Sequence, residues 1–350
     1  MDRLFTILEQ FVPEALEIME IRYHLLRQIL HKELVGRRQL ARELGYTERL
    51  VRSEIDILKS KGAISVSPAG INITPYGEDL LKNIDEMIPF LFSNQVLAGK
   101  LKRLFDLEEV IIVPGDSSLD FVAKQDLGRV AARYLSRILY SGVILAVTGG
   151  STLAEMAKAI NAETELNEVL VVPARGGLGE QMEEQAGTIA AKIARAIEAQ
   201  YRLLHLPDNL EEKTVEVLKK DKHVKGFIND IKSCHILVHG IGSALEMAHR
   251  RGLSPQELDL LQARGAVGET LRYYFDIKGN IVYEVPGIGI ELTDLENIEE
   301  VIAVAGGSKK ALAIEAVLSN KHQNVLITDE GAARQILARK DDTYGGENSD

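Results

Sequence analysis

Apolar positions recur along the chain with two different periods, and the change of period divides it. Residues 17–31 place Ile18, Ile21, Leu25 and Ile29 at helical spacing, which predicts one amphipathic helix. Val35-Gly36 interrupts it. Arg37–Leu44 then reads as a short helix with Leu40, Ala41 and Leu44 turned inward, closed by Gly45 as a C-cap glycine. Thr47 supplies an N-cap for a third helix, Glu48–Lys59, whose inner face is Leu50, Val51, Ile55 and Leu58. After Gly62, two short β-branched runs flank Pro68-Ala69-Gly70, a hairpin signal. Helix, tight turn, helix and two-stranded wing is the order of a winged helix-turn-helix. The stretch 74–105 then carries Leu80, Leu81, Ile84, Met87, Ile88 and Leu91 on a broad apolar face. It predicts a linker helix that packs on a twin and is bent or broken at Pro89.

From residue 107 the rhythm shortens. Near-continuous apolar runs stand at 108–114, 143–148, 168–173, 201–206, 235–240, 301–306 and 324–328. Between several of them lie amphipathic stretches: Leu127–Leu139, Thr152–Ile160, Thr188–Ala199 and Lys309–Leu318. Strands of this kind alternating with helices predict a doubly wound, mostly parallel α/β sheet covered on both faces. A length of 350 residues fits two domains. We place a winged-helix domain with its linker helix at 1–90, a second domain at 91–340, and a flexible tail at 341–350.

Composition adds limits. No run of 18 or more apolar residues exists, so no transmembrane helix is expected, and the acidic, Pro13-interrupted start does not read as a signal peptide. A lone cysteine, Cys234, precludes an intrachain disulfide and fits a reducing cytoplasm. The net charge of −11 argues against a nucleic-acid partner until it is resolved by position. Residues 21–61 hold ten Lys/Arg and five Asp/Glu, a local surplus inside an acidic chain. A solvated helical face would also produce such a run, so charge alone does not decide. The Gly45 turn, the basic outer face and the wing together favour DNA. On the third helix Arg49, Arg52 and Ser53 point outward with Asp56, suited to a major groove. Arg37 and Arg38 open the second helix, where they would meet the phosphate backbone. Two-fold operators call for two-fold proteins, so we expect a homo-oligomer, dimer or tetramer.

In a parallel sheet, ligands bind beyond the strand C-terminal ends, so the residues after each run matter. After VILAV comes Thr148-Gly149-Gly150-Ser151-Thr152 and a helix, an arrangement suited to phosphate. Thr152 and Glu155 also have capping-box spacing, which is compatible but does not account for paired glycines with two hydroxyls. After EVLVVP comes Arg175 in Ala174-Arg175-Gly176-Gly177-Leu178-Gly179. This is no dinucleotide fingerprint, because Met182 stands at the third glycine position and Glu198 falls within an expected helix. Gly240-Ile241-Gly242-Ser243 leads into a helix ending at Arg250 and Arg251, and Gly306-Gly307-Ser308 leads to Lys309 and Lys310. Loops with cations at three strand ends suit a ligand with more than one anionic group. His235 and His239 share a strand face with Cys234 on the other, but no further ligand pair accompanies them. No metal or cofactor is expected, and Cys234 reads as a small buried hydrophobe.

The segments TGGST (148–152), PARGGLGE (173–180), HGIGSA (239–244), AVAGGSKKALAIEAVL (303–318) and LITDEGAA (326–333) resemble the sugar-binding domain of SorC/DeoR-type bacterial transcriptional regulators. With the winged helix in front, the chain is similar over nearly all of residues 1–339 to the members that govern glycolytic genes. The resemblance implies a repressor that binds operator DNA as an oligomer and takes fructose 1,6-bisphosphate as inducer. It implies an effector pocket at Gly149, Gly150, Ser151, Thr152, Arg175, Gln185, Arg250, Glu269 and Lys310, of which Gln185 and Glu269 come from the resemblance alone. The fold also looks related to glucosamine-6-phosphate deaminases and ribose-5-phosphate isomerases. Where those deaminases follow Gly-Ile-Gly with Asp-Gly-His, this chain has Ser243, Ala244 and Leu245. No titratable pair is then left to shuttle protons, which favours binding without turnover over the rival reading, a sugar-phosphate isomerase or deaminase with a DNA-binding module.

Overall fold

The computed structural model describes residues 11–32, 34–85, 95–161, 166, 168–177, 181–203 and 205–346. The chain forms two compact units, Met1–Ser93 and Asn94–Asp350.

In the first unit, helix Pro13–His31 buries Ile21, Tyr23, Leu25, Leu26 and Ile29, while Ile18, expected on that stripe, is exposed. Helices Arg37–Leu44 and Glu48–Ser60 follow. Gly45 closes the first at φ +70°, a left-handed conformation that a side chain would strain. Thr47 caps the second, its hydroxyl accepting from the Leu50 amide at 3.3 Å. Leu40, Ala41, Val51, Ile55 and Leu58 are buried; Leu44 and Leu50 are only half-buried. Strands β1 (Ile64–Ser67) and β2 (Gly70–Ile73) pair antiparallel around the Pro68-Ala69 turn as the wing. Helix Pro75–Asp85 follows, with Leu81 buried and Leu80 and Ile84 half-buried. Met87, Ile88, Pro89 and Leu91 lie outside the described residues.

The second unit opens with helix Gln95–Phe105 and is built on a seven-stranded sheet. Its strands are β3 (Glu109–Val113), β4 (Ile144–Val147), β5 (Leu170–Pro173), β6 (Gln200–Tyr201), β7 (Ile236–His239), β12 (Glu300–Val304) and β13 (Val325–Asp329). The order is β3-β13-β12-β7-β4-β5-β6, and every neighbouring pair is parallel. The run at 201–206 yields only the two-residue β6: its alternation is broken by Arg202 and His205, and the chain leaves the sheet. The helices fall at Phe121–Ile138, Ser151–Ala159, Ala186–Ala196 and Ala311–Ser319. Glu198 sits in a turn beyond the third of these, at φ +54°.

A second sheet was not foreseen. Strands β8 (Gly242–Ser243), β9 (Gly268–Thr270), β10 (Tyr273–Phe275) and β11 (Ile281–Glu284) form an antiparallel ribbon in the order β11-β10-β9-β8. The last helix runs Glu330–Gly346, so the stretch expected as a flexible tail is helical through Gly346. Arg339 and Lys340 anchor its approach by pairing with buried Glu315 at 3.5 and 2.7 Å.

Candidate functional site

From β4 the chain winds outward through β5 and β6, then returns to lay β7 on the other side of β4 and continues through β12. That reversal parts the connections at the C-terminal ends of β4 and β7, where such sheets open a crevice. A cleft open to solvent lies there. Its lining includes Gly149, Gly150, Ser151, Thr152, Arg175, Gln185, Arg250, Glu269 and Lys310, so the fold brings together every residue expected of the pocket.

One wall is the loop after β4. Thr148 is buried and ties the two strand ends together, its hydroxyl oxygen accepting from the Gly240 amide at 3.0 Å. Gly150 adopts φ +124°, which lets helix Ser151–Ala159 start directly after it with no side-chain cap. The Thr152–Glu155 capping box does not form; Glu155 pairs with Lys158 at 2.7 Å instead. Among the described residues the amides of Ser151, Thr152 and Leu153 meet no acceptor. They stand at the positive end of the helix dipole beside two hydroxyls, a site suited to an anion. The Gly150 amide, by contrast, donates to the Glu184 carbonyl at 2.9 Å.

The cations divide into different kinds. Arg175 reaches the cleft, but Nη1 already donates to Asp208 (3.1 Å), Glu269 (3.4 Å) and the Leu271 carbonyl (2.9 Å). Arg251, one of two candidates at its helix end, is fully buried behind it. It donates to Asp208 (2.8 Å), Glu269 (2.6 Å), and the Tyr274 hydroxyl (2.9 Å). Two arginines and two carboxylates thus meet in one buried cluster, so Arg175 is already paired where it reaches the cleft. Burial, reinforced by the neighbouring Glu269, pushes the Asp208 carboxyl well above the usual range. Asp208 and Arg251 are structural residues of the site that sequence reasoning missed or left unassigned. Arg250 lines the cleft and pairs with Glu184 at 3.0 Å. Lys310 is the cation left over: half-buried, with no carboxylate within 4 Å among the described residues. Burial lowers its pKa, Lys124 and Arg250 add to that, and Glu246 and Glu184 oppose it. Lys309 is exposed. Gln185 sits over Gly177, and Glu269 lies on β9 opposite Gly242.

The histidines are absorbed by the fold. His235 Nδ1 accepts from the Ile144 amide at 3.0 Å. His239 is buried 2.8 Å from the Thr270 hydroxyl, and burial drops its pKa to about 4. No cluster of three metal-ligating side chains occurs among the described residues. Cys234 is buried, its thiol pushed up to about 12 by that burial.

On the winged helix, Arg49, Arg52 and Ser53 are exposed, and neither arginine has an ion-pair partner among the described residues. Arg37 pairs with Asp56 at 3.2 Å, and Arg38 reaches Glu48 at 3.6 Å. The basic surplus over 21–61 is partly internal. Arg22 binds buried Glu54 at 2.7 Å, Lys32 binds Glu43 at 2.5 Å, and Arg27 is itself buried. The basic side chains open to solvent include Arg38 and Arg42 on the second helix and Arg49 and Arg52 on the third.

Comparison with known proteins agrees with this geometry. Residues 91–338 match the Sugar-bind family of sugar-binding domains, and residues 18–88 match the CggR N-terminal DNA binding domain. The chain is 40% identical over 338 residues to the central glycolytic genes regulator of Priestia megaterium, covering 96% of this chain and 99% of the relative. It is 37% identical to the protein of the same name in Bacillus subtilis, again covering 96% and 99%. A SorC family transcriptional regulator from Enterococcus faecalis superposes with a TM-score of 0.64 at 38% identity, over 69% of this chain and 99% of that one. The full-length sorbitol operon regulator SorC of Klebsiella pneumoniae, 22% identical, shares the fold over 87% of this chain and 94% of its own at a TM-score of 0.65. These relatives are transcriptional regulators, not enzymes. A DNA-binding domain followed by a sugar-binding α/β domain, aligned to such relatives almost end to end, places the chain in the SorC family of sugar-responsive transcriptional regulators.

Proposed function

We propose that the chain is a repressor of glycolytic genes that binds operator DNA in the cytoplasm as a homo-oligomer, dimer or tetramer. In this reading a phosphorylated sugar entering the cleft, with fructose 1,6-bisphosphate the leading candidate, relieves repression. Domain 91–340 binds the effector and mediates oligomerisation, while Arg37, Arg38, Arg49, Arg52 and Ser53 meet the DNA. The observation that carries the proposal is that one cleft holds both the Ser151–Leu153 helix N-terminus, whose amides meet no acceptor among the described residues, and Lys310, which has no carboxylate within 4 Å among them. A sugar with two phosphates matches both, and Gln185 and Glu269 suit its hydroxyls. No described helix is long and apolar enough to cross a membrane.

A ligand changes operator affinity only through different affinities for two states of the protein. The sugar therefore favours an arrangement of subunits that grips DNA less well. Thermal melting against a panel of glycolytic mono- and bisphosphates tests this. A ligand at a hundred times its Kd adds about 2.7 kcal/mol to the folded state. The same compound must release the protein from operator DNA. If no phosphosugar raised the melting temperature, the effector assignment would fail; if one did without releasing DNA, the inducer role would fail.

A further inference from the structure

Lys310 sits at the end of a short helical turn, Ser308–Lys310, that follows Gly306-Gly307 after β12. No carboxylate lies within 4 Å of Lys310 among the described residues, and a half-buried lysine without such a contact gains from swinging into water, so the backbone that carries it must hold it at the cleft. The backbone of the turn is held from behind. The Ser308 amide donates to Asp116 Oδ1 at 3.1 Å, and the Lys309 amide donates to Ser118 Oγ at 3.3 Å. Asp116 Oδ1 also accepts from the Ser118 amide at 2.9 Å, which closes its own loop. Asp329, at the end of β13, fixes that loop by accepting from the Ser117 amide at 2.9 Å. The contact is close: a side chain at Gly307 would run into Ser118, and one at Gly331 would come within 2.5 Å of the Asp116 carboxyl carbon. Asp116 does not line the cleft. Burial opposes its ionisation, but the Ser308 and Ser118 hydrogen bonds outweigh it and keep the carboxyl below the usual range.

We propose that Asp116 is a positioning residue for the effector site, a carboxylate that clamps the 308–310 turn so that Lys310 stays aimed into the cleft and discriminates bisphosphorylated from monophosphorylated sugars. The inference rests on the phosphosugar reading above. Asp116→Ala removes the acceptor for both amides; Asp116→Asn keeps an oxygen in place.

Two measurements test it. The first is the affinity of fructose 1,6-bisphosphate and of a hexose monophosphate for wild type, Asp116→Ala, Asp116→Asn, Lys310→Ala and the Asp116→Ala/Lys310→Ala double variant. Asp116→Ala should weaken the bisphosphate about tenfold, the scale of a lost charge-assisted contact, and leave the monophosphate nearly unchanged. Asp116→Asn should recover most of the loss, and the double variant should be no worse than Lys310→Ala, which a general weakening of the fold would not produce. The second measurement needs no sugar: the rate of Lys310 acetylation against pH, read by peptide mass spectrometry. Asp116→Ala should move the Lys310 titration up toward that of an exposed lysine. Wild-type affinity in Asp116→Ala, or additive losses in the double variant, would overturn the clamp. If wild type bound no phosphosugar but Lys310 titration moved, the effector reading would fall and the clamp would stand; if neither moved, both would fall.

Discussion

The Arg175–Asp208–Arg251–Glu269 cluster makes the sharpest stability prediction. Asp208→Ala removes a carboxylate whose side chain is 1% exposed and leaves Arg175, at 6%, and Arg251, at 0%, without water to replace it. Breaking a buried ion pair from one side costs about 3–5 kcal/mol. Here Glu269 still reaches both arginines, at 3.4 and 2.6 Å, so the lower end of that range, about 3 kcal/mol, applies. At about 2–4 °C per kcal/mol for a domain of this size, the sugar-binding unit should melt about 6–12 °C lower. Asp208→Asn, which keeps the shape and one acceptor, should fall between wild type and Asp208→Ala. Calorimetry of the full chain reads both, and the winged-helix unit should be unaffected. A shift below about 2 °C for Asp208→Ala would show that the cluster is not held by its charges, since a surface pair is worth about 0–1 kcal/mol.

Three further outcomes are expected. Arg52→Ala should weaken operator binding about tenfold and lower the slope of log affinity against log salt by about 1 if the arginine meets a phosphate, leaving sugar affinity intact; unchanged DNA binding would remove the third helix from the interface. Replacing Thr152 and Lys310 together by alanine should abolish sugar-dependent release with repression retained, read by operator binding with and without fructose 1,6-bisphosphate. Burial lowers the Lys310 pKa, so an anion that favours its charged form must draw in a proton at pH between the free and bound values. Calorimetric titration over the pH range between full ionisation of the sugar phosphate and the usual lysine value, in buffers of different ionisation heat, should show proton uptake that Lys310→Ala removes.

What could be read from the sequence was what depends on near neighbours. Gly45 and Thr47 fix helix ends through one residue's own backbone or hydroxyl, and the loops after β4, β7 and β12 follow from where apolar runs stop. The antiparallel ribbon escaped because strands of two to four residues, such as β8 and β9, are too short to show a period. Glu269 rides on that ribbon, so only the family resemblance reached it. Asp208 is a lone acid in an irregular stretch, and nothing local marks it as the partner of two arginines far along the chain. Arg250 and Arg251 are adjacent and chemically alike; which one faces the cleft is decided by helix phase and by the ribbon packed behind. Which basic residues of the winged helix stay open to solvent was likewise not legible, because pairs such as Arg22–Glu54 form across 32 residues of chain.

The cleft is supplied with acceptors of its own. The Glu184 carbonyl takes the Gly150 amide, and the Glu184 carboxylate takes Arg250. Any anion that claims those donors competes with a group tethered at high effective concentration, and the exchange subtracts from its affinity. A regulator that tracks the level of an abundant metabolite has to be half-saturated within the range over which that level moves, and a site that bound too tightly would stay full. If the cleft takes the phosphosugar proposed above, Glu184, by holding the Gly150 amide and Arg250, would shift the concentration at which it responds without altering what it recognises.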